Sequence, residues 1–482
     1  MFAPFKGKIF ILDLILTLFY IFIFWVDKRD GDQQNEGEFD HEAVGGGQNH
    51  ESDYEDEVEV APVEEPEQLP ADLPADVDPR LHPHGFSWTP NHHQNVDNAY
   101  GKYTGGGFKV KSWPDDGRGR HDERSSYEYF MKVFPVGIWD DIVDETIVQL
   151  WTLGRGVTTK GELVKCMGMR LSMVLEKISV DAAFATETVA GSAKLPANYS
   201  KRYGMSKDRF QILEKCFRYA APAPDDAWAQ PRAFVNAFNH HMQDAVSPGD
   251  ELCVDEAMAM WLGRDKKYAA EGCPGITKIQ RKPRGVGVEL KACADAESRV
   301  MLRLELMEGK DAMREKQWAN VNAGTGHILR LTRPWHGTAR TVVGDSAFAS
   351  VTCAVWCYYF GLFFMGIVKT ATTKYPKKYL VEWFEENEAR DPQVIGWRGS
   401  HMCLTADAKL MDFIPADQQN APIDAQQTVQ IFALCWADRK PKNVISSRGT
   451  TLPGTNAHVY KHTPAQITTN HAHTYIIRTY TR

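Results

Sequence analysis

Between Asp30 and about Tyr100 the chain shows no sustained hydrophobic period, and helical periodicity begins near Ser125. Tyr129, Phe130, Val133 and Phe134, then Ile138, Ile142, Val143, Ile147 and Leu150, recur every three to four residues. Pro135 divides that run, so the pattern predicts two helices between Tyr127 and Leu153. A third helix is predicted from Thr159 to Ile178, where Glu162 follows Thr159 by three residues as in a capping box. Further helices are expected from Ser206 to Tyr219 and over residues 230–245. The turn Ser247-Pro248-Gly249-Asp250 ends this all-helical block.

The pattern then becomes strand-like. Glu251 to Trp261 reads as a strand, and Val286 to Ala294 with Arg299 to Glu308 reads as a hairpin turning at Asp295-Ala296-Glu297-Ser298. A helix fits around residues 321–332, a strand covers Thr341 to Phe348, a helix Ser350 to Phe360, and a buried strand Leu362 to Lys369. After Pro376 the pattern turns irregular, with short strands expected at Met402 to Thr405 and Thr428 to Trp436. Three strands in a meander followed by alternating helices and strands describe an α+β, RNase H-like mixed sheet with flanking helices.

Two aspartates stand out in this order. Asp255 lies in the first strand among Val254, Ala257, Met258 and Met260, and Asp345 ends the fourth. In an RNase H-like sheet those strands are neighbours, so the two carboxylates can share divalent cations. Phosphoryl transfer by two metals needs hard oxygen ligands, with Mg²⁺ at about 2.1 Å and two ions roughly 4 Å apart. An aspartate in an apolar strand is costly unless it is paired or metal-bound. The bland alternative for Asp255 alone is a hydrogen-bonded structural carboxylate.

Charge sharpens the picture. The net charge of −8 includes eighteen Asp/Glu and no Lys or Arg over residues 30–78, so the remainder carries +10. A basic body with an acidic tail suits a polyanion binder whose tail competes with the ligand, although such a tail also serves solubility alone. Residues 30–110 are expected to be disordered, because their Gly, Pro, Asn and acidic content buries too little surface to offset ordering entropy. His82, His84, His92 and His93 are expected there as solvated side chains. Arg264, Lys266, Lys267, Lys278, Arg281, Lys282 and Arg284 cluster in one stretch and are the candidate phosphate contacts, against the plainer reading of a solvated loop. Trp261 and Tyr268 either stack on a base or are simply buried. The nine cysteines contain no CxxC pair, which points to reduced, mostly buried thiols. Ile9 to Val26 is apolar apart from Asp13 and Thr17, a marginal length for a membrane span. With Lys6 and Lys8 before it and Lys28 and Arg29 after it, orientation by flanking charge is ambiguous. The readings that stay open are a membrane anchor through residues 9–26 and a gene-model artefact over 1–29.

At the aspartates a resemblance becomes specific. Val254-Asp255-Glu256 followed by Gly263-Arg264 resembles the first-aspartate motif of piggyBac transposases and the proteins domesticated from them. Lys282-Pro283 with Gly287, then Glu308-Gly309-Lys310, resemble the next segment. Gly344-Asp345-Ser346 with Ser350 resembles the second-aspartate motif, with Ser346 where that family usually has Asn. Gly366, Lys369 and Pro376 match the strand that follows, Met205-Ser206 with Arg209-Phe210 a motif of the helical region, and Trp436, Asp438, Lys440 and Val444 to Ser447 a late strand. The resemblance spans roughly residues 125–447 and rests on the order and spacing of these motifs.

The resemblance implies a DDE-type transposase: Mg²⁺- or Mn²⁺-assisted strand cleavage by water, then transfer of a 3′-hydroxyl to target DNA. Asp255 and Asp345 would be the catalytic metal ligands, and double-stranded DNA and a second copy of the chain the partners, in the nucleus. It also implies a helical DNA-binding or dimerisation domain at 125–250, a catalytic core at 251–375, an insertion domain at 376–450 and an atypical tail at 451–482. The family's third catalytic aspartate, in a GGVD-type segment, and its cysteine-rich zinc module are not matched before Arg482. The expectation is therefore an inactive copy truncated before the third aspartate. Asp438 belongs to the late strand, and Glu385 or Glu386 is a weaker alternative third carboxylate. The competing function is a membrane-anchored or purely DNA-binding protein that keeps the fold without nuclease chemistry.

Overall fold

A computed structural model of the chain describes residues 78–90, 103–111, 125–187, 195–221, 223, 225–260, 275–278, 286–369, 373–390, 401–437 and 441–448, with two short strands at 457–458 and 467–468. The strands that carry the fold are β1 (Thr89–Pro90), β2 (Lys109–Val110), β3 (Val246–Ser247), β4 (Glu251–Met260), β5 (Ile276–Lys278), β6 (Val286–Asp295), β7 (Met301–Leu306), β8 (Thr341–Gly344), β9 (Phe363–Val368), β10 (His401–Lys409), β11 (Thr428–Ala437) and β12 (Pro441–Ser446). Among the described residues ten of them form one sheet in the order β1-β10-β11-β12-β9-β8-β4-β6-β5, with β7 also paired to β6. The central run β7-β6-β4-β8-β9 is antiparallel from β7 to β4 and parallel from β4 through β8 to β9. This is the RNase H-like mixed sheet expected from the strand order.

Beyond Pro376 the strands expected at Met402 to Thr405 and Thr428 to Trp436 lie within β10 and β11, and the stretch is more regular than its pattern suggests. Lys377–Arg390 is a helix, and β10, β11 and β12 extend the same sheet antiparallel from β9. Their sequence hides this because Cys403, Leu404, Thr405 and Ala406 are buried in succession. A strand covered on both faces loses the alternation that marks a half-buried one.

The helical block precedes the sheet. It comprises α1 (Ser126–Val133), α2 (Trp139–Thr152), α3 (Lys160–Glu176), α4 (Val180–Phe184), α5 (Tyr199–Tyr203), α6 (Lys207–Cys216) and α7 (Ala229–Ala245). Ser125 and Glu128 form a reciprocal capping box at the start of α1. Phe134, ahead of Pro135, is extended at φ −71° and ψ 135°, which ends α1 as the proline requires. The box expected at α3 is half formed. Thr159 accepts from the Glu162 amide at 3.2 Å, but the Glu162 carboxylate accepts from Thr158 and Arg209 instead. Stacked rings fill the centre of the block, with Phe134 and Trp139 centroids 4.6 Å apart and both fully buried.

Three further helices sit among the strands: α8 (Lys310–Arg314), α9 (Ala323–Thr332) and α10 (Val351–Tyr359); the helix at Lys377–Arg390 is α11. α10 joins β8 to β9 and is buried almost throughout, with Ser350 capping it through the Cys353 amide at 3.0 Å. α9 packs on β6, β7 and β4 through ions rather than apolar side chains alone. Buried Glu305 of β7 accepts from His327 at 2.7 Å and Arg330 at 2.6 Å, and Lys316 lies 3.4 Å away. Burial acts to raise the Glu305 carboxyl, but the hydrogen bond and charge of His327 and the charge of Arg330 prevail and hold it at about 2.

Two stretches of the segment expected to be disordered are packed on this body. Trp88 is buried and donates to the Lys374 carbonyl at 2.8 Å, and its ring meets Phe86 and Tyr375 edge-on. Arg80 pairs with Asp78 and with Glu382 of α11. Residues 109–110 pair with β3, and the Arg340 guanidinium lies 4.4 Å over the Tyr103 ring. Aromatic anchors inside a polar stretch overcome its composition locally. Eight cysteines lie in the described residues, and all but half-buried Cys253 are buried thiols, as expected. Among the described residues no helix is long and apolar enough to cross a membrane; Ile9 to Val26 lies outside them.

The Glu305 cluster predicts acid sensitivity with a definite sign. Its folded pKa lies near 2 against an ordinary value of 4.5, so its contribution is present above pH 4.5 and is lost as pH falls through 2. Glu305→Gln should lower stability by roughly 3 kcal/mol at pH 7, since about 1.4 kcal/mol accompanies each pKa unit. In urea melts the gap between wild type and variant should narrow toward pH 2. A gap that does not change with pH contradicts the assignment.

Candidate metal centre

The parallel ladder between β4 and β8 pairs Glu251 with Thr341, Leu252 with Val342, Cys253 with Val343 and Val254 with Gly344. Asp255 and Asp345 are the residues that directly follow the last of these pairs. In a parallel pair, residues at one level share a face of the sheet, and residues two apart on a strand share it too. Asp255 and Cys253, both within β4, therefore face the same way. The Cys253 thiol senses the result: burial, then the charges of Asp255, Asp345 and Glu251, push it up to about 11.

Local structure fixes each carboxylate. Leu252 and Val254 are buried while Asp255 is exposed, so the alternation of β4 turns the aspartate outward. Asp255 accepts from the Glu256 amide at 2.7 Å. Asp345 follows β8 directly and is half-buried. Its carboxylate accepts from the Ala347 amide at 2.9 Å, and its carbonyl accepts from the Phe348 and Ala349 amides at 3.1 Å each. The chain thus leaves β8 in a tight turn built around Asp345.

Glycines make room for that turn. A Cβ on Gly366 of β9, the register partner of Gly344, would come within 2.8 Å of Ala349 and 3.0 Å of the Gly344 carbonyl. A Cβ on Gly324, in the first turn of α9, would meet the Ala347 carbonyl at 2.6 Å. The turn is therefore pressed between β9 and α9 with no spare volume.

On the opposite face lies a buried lysine. Lys291 of β6 is the register partner of Glu256 and contacts Glu256 at 2.8 Å and Glu289 at 2.5 Å. Burial opposes its charge, but the two carboxylates raise its pKa overall. Its ammonium also lies 5.5 Å from the centroid of the Phe348 ring. The sequence analysis did not single out Lys291 or Gly324. The alternation of Glu289 and Lys291 in the apolar run VGVELKACA was the available signal for the former.

Two adjacent carboxylates are hard-oxygen donors of the kind Mg²⁺ and Mn²⁺ accept, with water and phosphate able to complete the shell. Among the described residues no group of three or more His, Cys, Asp or Glu could hold a metal ion. The alternative third ligands are not brought to the pair: Glu385 and Glu386 are exposed on α11, which packs over β11 and β12, and Asp438 lies outside the described residues. So do Trp261, Tyr268, Arg264, Lys266, Lys267, Arg281, Lys282 and Arg284, while Lys278 ends β5. His92 and His93 are also outside; His82 Nδ1 lies 2.9 Å from Ser87 Oγ.

A mixed sheet of this order, flanked by helices, is the RNase H-like fold of DDE transposases. The sequence profile of the family described as Transposase IS4 matches residues 125–480, which includes most of the 451–482 tail expected to be atypical. The chain belongs to that family, and the motif resemblance is borne out at that level. A solved structure, a cryo-EM piggyBac transposase synaptic complex with hairpin DNA, is 18% identical, with a TM-score of 0.49, over 73% of this chain and 64% of that one. The chain thus spans 64% of the length of that relative. No curated protein matches.

The packing at the turn yields a prediction. Gly366→Ala should cost about 1–3 kcal/mol, the usual effect of overpacking a filled interior, read as a lower denaturation midpoint. Wild-type stability in that variant contradicts the close approach of β9 to the Asp345 turn.

Proposed function

We propose that this chain is a piggyBac-type DNA transposase core in which Asp255 and Asp345 hold Mg²⁺ or Mn²⁺ against the DNA backbone. The parallel β4–β8 register, whose last pair Val254–Gly344 directly precedes both aspartates, supports the reading. A divalent ion in such a site supplies Lewis-acid polarisation of a phosphoryl oxygen and lowers the pKa of an attacking water. The residues of the chain hold and orient. Asp255 is open to an approaching phosphate, and the Ala347 amide keeps the Asp345 carboxylate aligned. The close-packed turn restricts its movement, which matters because in-line transfer tolerates little displacement.

DNA would be held by the basic stretch that includes Arg264, Lys266, Lys267, Lys278, Arg281, Lys282 and Arg284. Contacts of this type neutralise phosphates and weaken as salt rises. The acidic residues 30–78 oppose them by competing for the same cations. A homodimer and action on nuclear DNA belong to the same reading. The third carboxylate that the family chemistry requires separates an active transposase from a protein that binds DNA on the same fold without cutting it.

Strand cleavage and strand transfer by the full-length chain, measured with Mg²⁺ and with Mn²⁺ and compared with the doubly substituted Asp255→Ala, Asp345→Ala chain, test the proposal. Activity above that control, abolished by either single change, is the outcome expected of an active core. Asp438 can then be changed to ask whether it is the third ligand. Activity equal to the control would leave the binding protein as the correct reading, and activity that survives both changes rejects the site.

A further inference from the structure

Lys291 is buried at the centre of the sheet, with a side chain only 8% exposed. Taking an ammonium out of water costs several kcal/mol, and an apolar residue of similar volume commonly serves a core as well or better. Its contacts show what the charge achieves. Glu256, the residue after Asp255, lies 2.8 Å away on the neighbouring strand. Phe348, three residues after Asp345 and 2% exposed, presents its ring to the ammonium at 5.5 Å. Glu289 completes the set from Lys291's own strand at 2.5 Å.

We propose that Lys291 is a positioning residue for the Asp255–Asp345 pair, gripping the strand beside one aspartate through Glu256 and the turn beside the other through the Phe348 ring. The proposal rests on the reading of those aspartates as a metal site. Strand hydrogen bonds fix β4 against β8 only as far as Val254 and Gly344, so the turn that carries Asp345 leaves the ladder just where the geometry matters. Lys291 reaches it from the back of the sheet, where an ammonium near a desolvated aromatic face is attracted by the ring quadrupole. The same turn is bounded by α9 at Gly324, and α9 is anchored by Glu305, the register partner of Lys291 on β7. The two aspartates are thereby tied to a common buried charge network without a direct bond between them.

Hydrogen exchange on the full-length chain separates this role from simple stabilisation. Three variants are compared with wild type: Lys291→Met, Phe348→Leu, and the two combined. The amides of Ala347, Phe348 and Ala349 should exchange at least tenfold faster in each single variant, while the Thr341 amide, bonded to the Asp250 carbonyl, keeps its wild-type rate. The combined variant should be no faster than the faster single one at these amides, because the Lys291–Phe348 contact that holds the turn is already lost in each single variant. Unchanged exchange at 347–349, or effects that multiply, overturns the proposal. Should Lys291→Met fail to fold, Phe348→Leu, which leaves both ion pairs in place, decides alone. Mn²⁺ affinity read by electron paramagnetic resonance should fall about tenfold in Phe348→Leu. Faster exchange with wild-type Mn²⁺ affinity also overturns a positioning role. A wild-type chain that binds no Mn²⁺ rejects the metal site itself, and the exchange data then still judge the clamp.

Discussion

Four residue pairs of parallel ladder, Glu251 with Thr341 through Val254 with Gly344, decide where two distant parts of the chain meet. A slip of one residue would turn Asp345 to the other face of the sheet and separate it from Asp255. The register is therefore guarded at both ends. Below the ladder, Arg448 grips the Asp250 carboxylate at 2.8 and 2.9 Å and also donates to Thr341, tying the starts of both strands together. Above it, the Gly344–Gly366 pairing and the capped helix α10 leave the Asp345 turn one place to sit. Buried Leu252, Val254 and Val342 supply the apolar drive, at about 1.5–3 kcal/mol for each large side chain.

The front of the sheet carries exposed negative charge, and the back carries compensated charge. Two ion-pair clusters lie there: Lys291 with Glu256 and Glu289, and Glu305 with His327 and Arg330, the two brought together where Lys291 and Glu305 are register partners. Such groups are stable only when each finds its partner, since one unpaired member costs several kcal/mol. The outer edge is satisfied in a similar way. Asn239 of α7 both donates to the Leu304 carbonyl and accepts from its amide at 2.8 Å, standing in for a missing strand on β7. The helical block is joined to the sheet at that edge, and the Arg232–Glu308 contact reinforces it.

Much of this was legible in the sequence because the central strands are half-buried and their boundaries are marked. The hairpin at Asp295-Ala296-Glu297-Ser298, the strand ending at Asp345 and the helix opened by Ser350 all occupy their expected places. That β4 and β8 are neighbours in the sheet followed from strand order alone. What stayed hidden has physical reasons. Residues 403–406 of β10 and 443–446 of β12 are buried in succession, so their membership of the same sheet depends on contacts far apart in sequence. Trp88 is one anchor in a polar stretch, and only its tertiary partners, the Lys374 carbonyl and the Tyr375 ring, reveal that the segment is ordered there. Lys291 reads as an ordinary strand lysine until Glu256, Glu289 and Phe348 are placed around it.

The central claim is that Asp255 and Asp345 act together on one divalent ion. Crystals of the full-length chain soaked in Mn²⁺ test it most directly through anomalous scattering at the manganese edge. The account predicts a peak at about 2.1–2.3 Å from a carboxylate oxygen of each aspartate, the distance range of hard divalent cations on oxygen ligands. Asp345→Asn crystals should lose that peak. A manganese peak elsewhere with none between the two carboxylates, or the two side chains on opposite faces of the sheet, contradicts it.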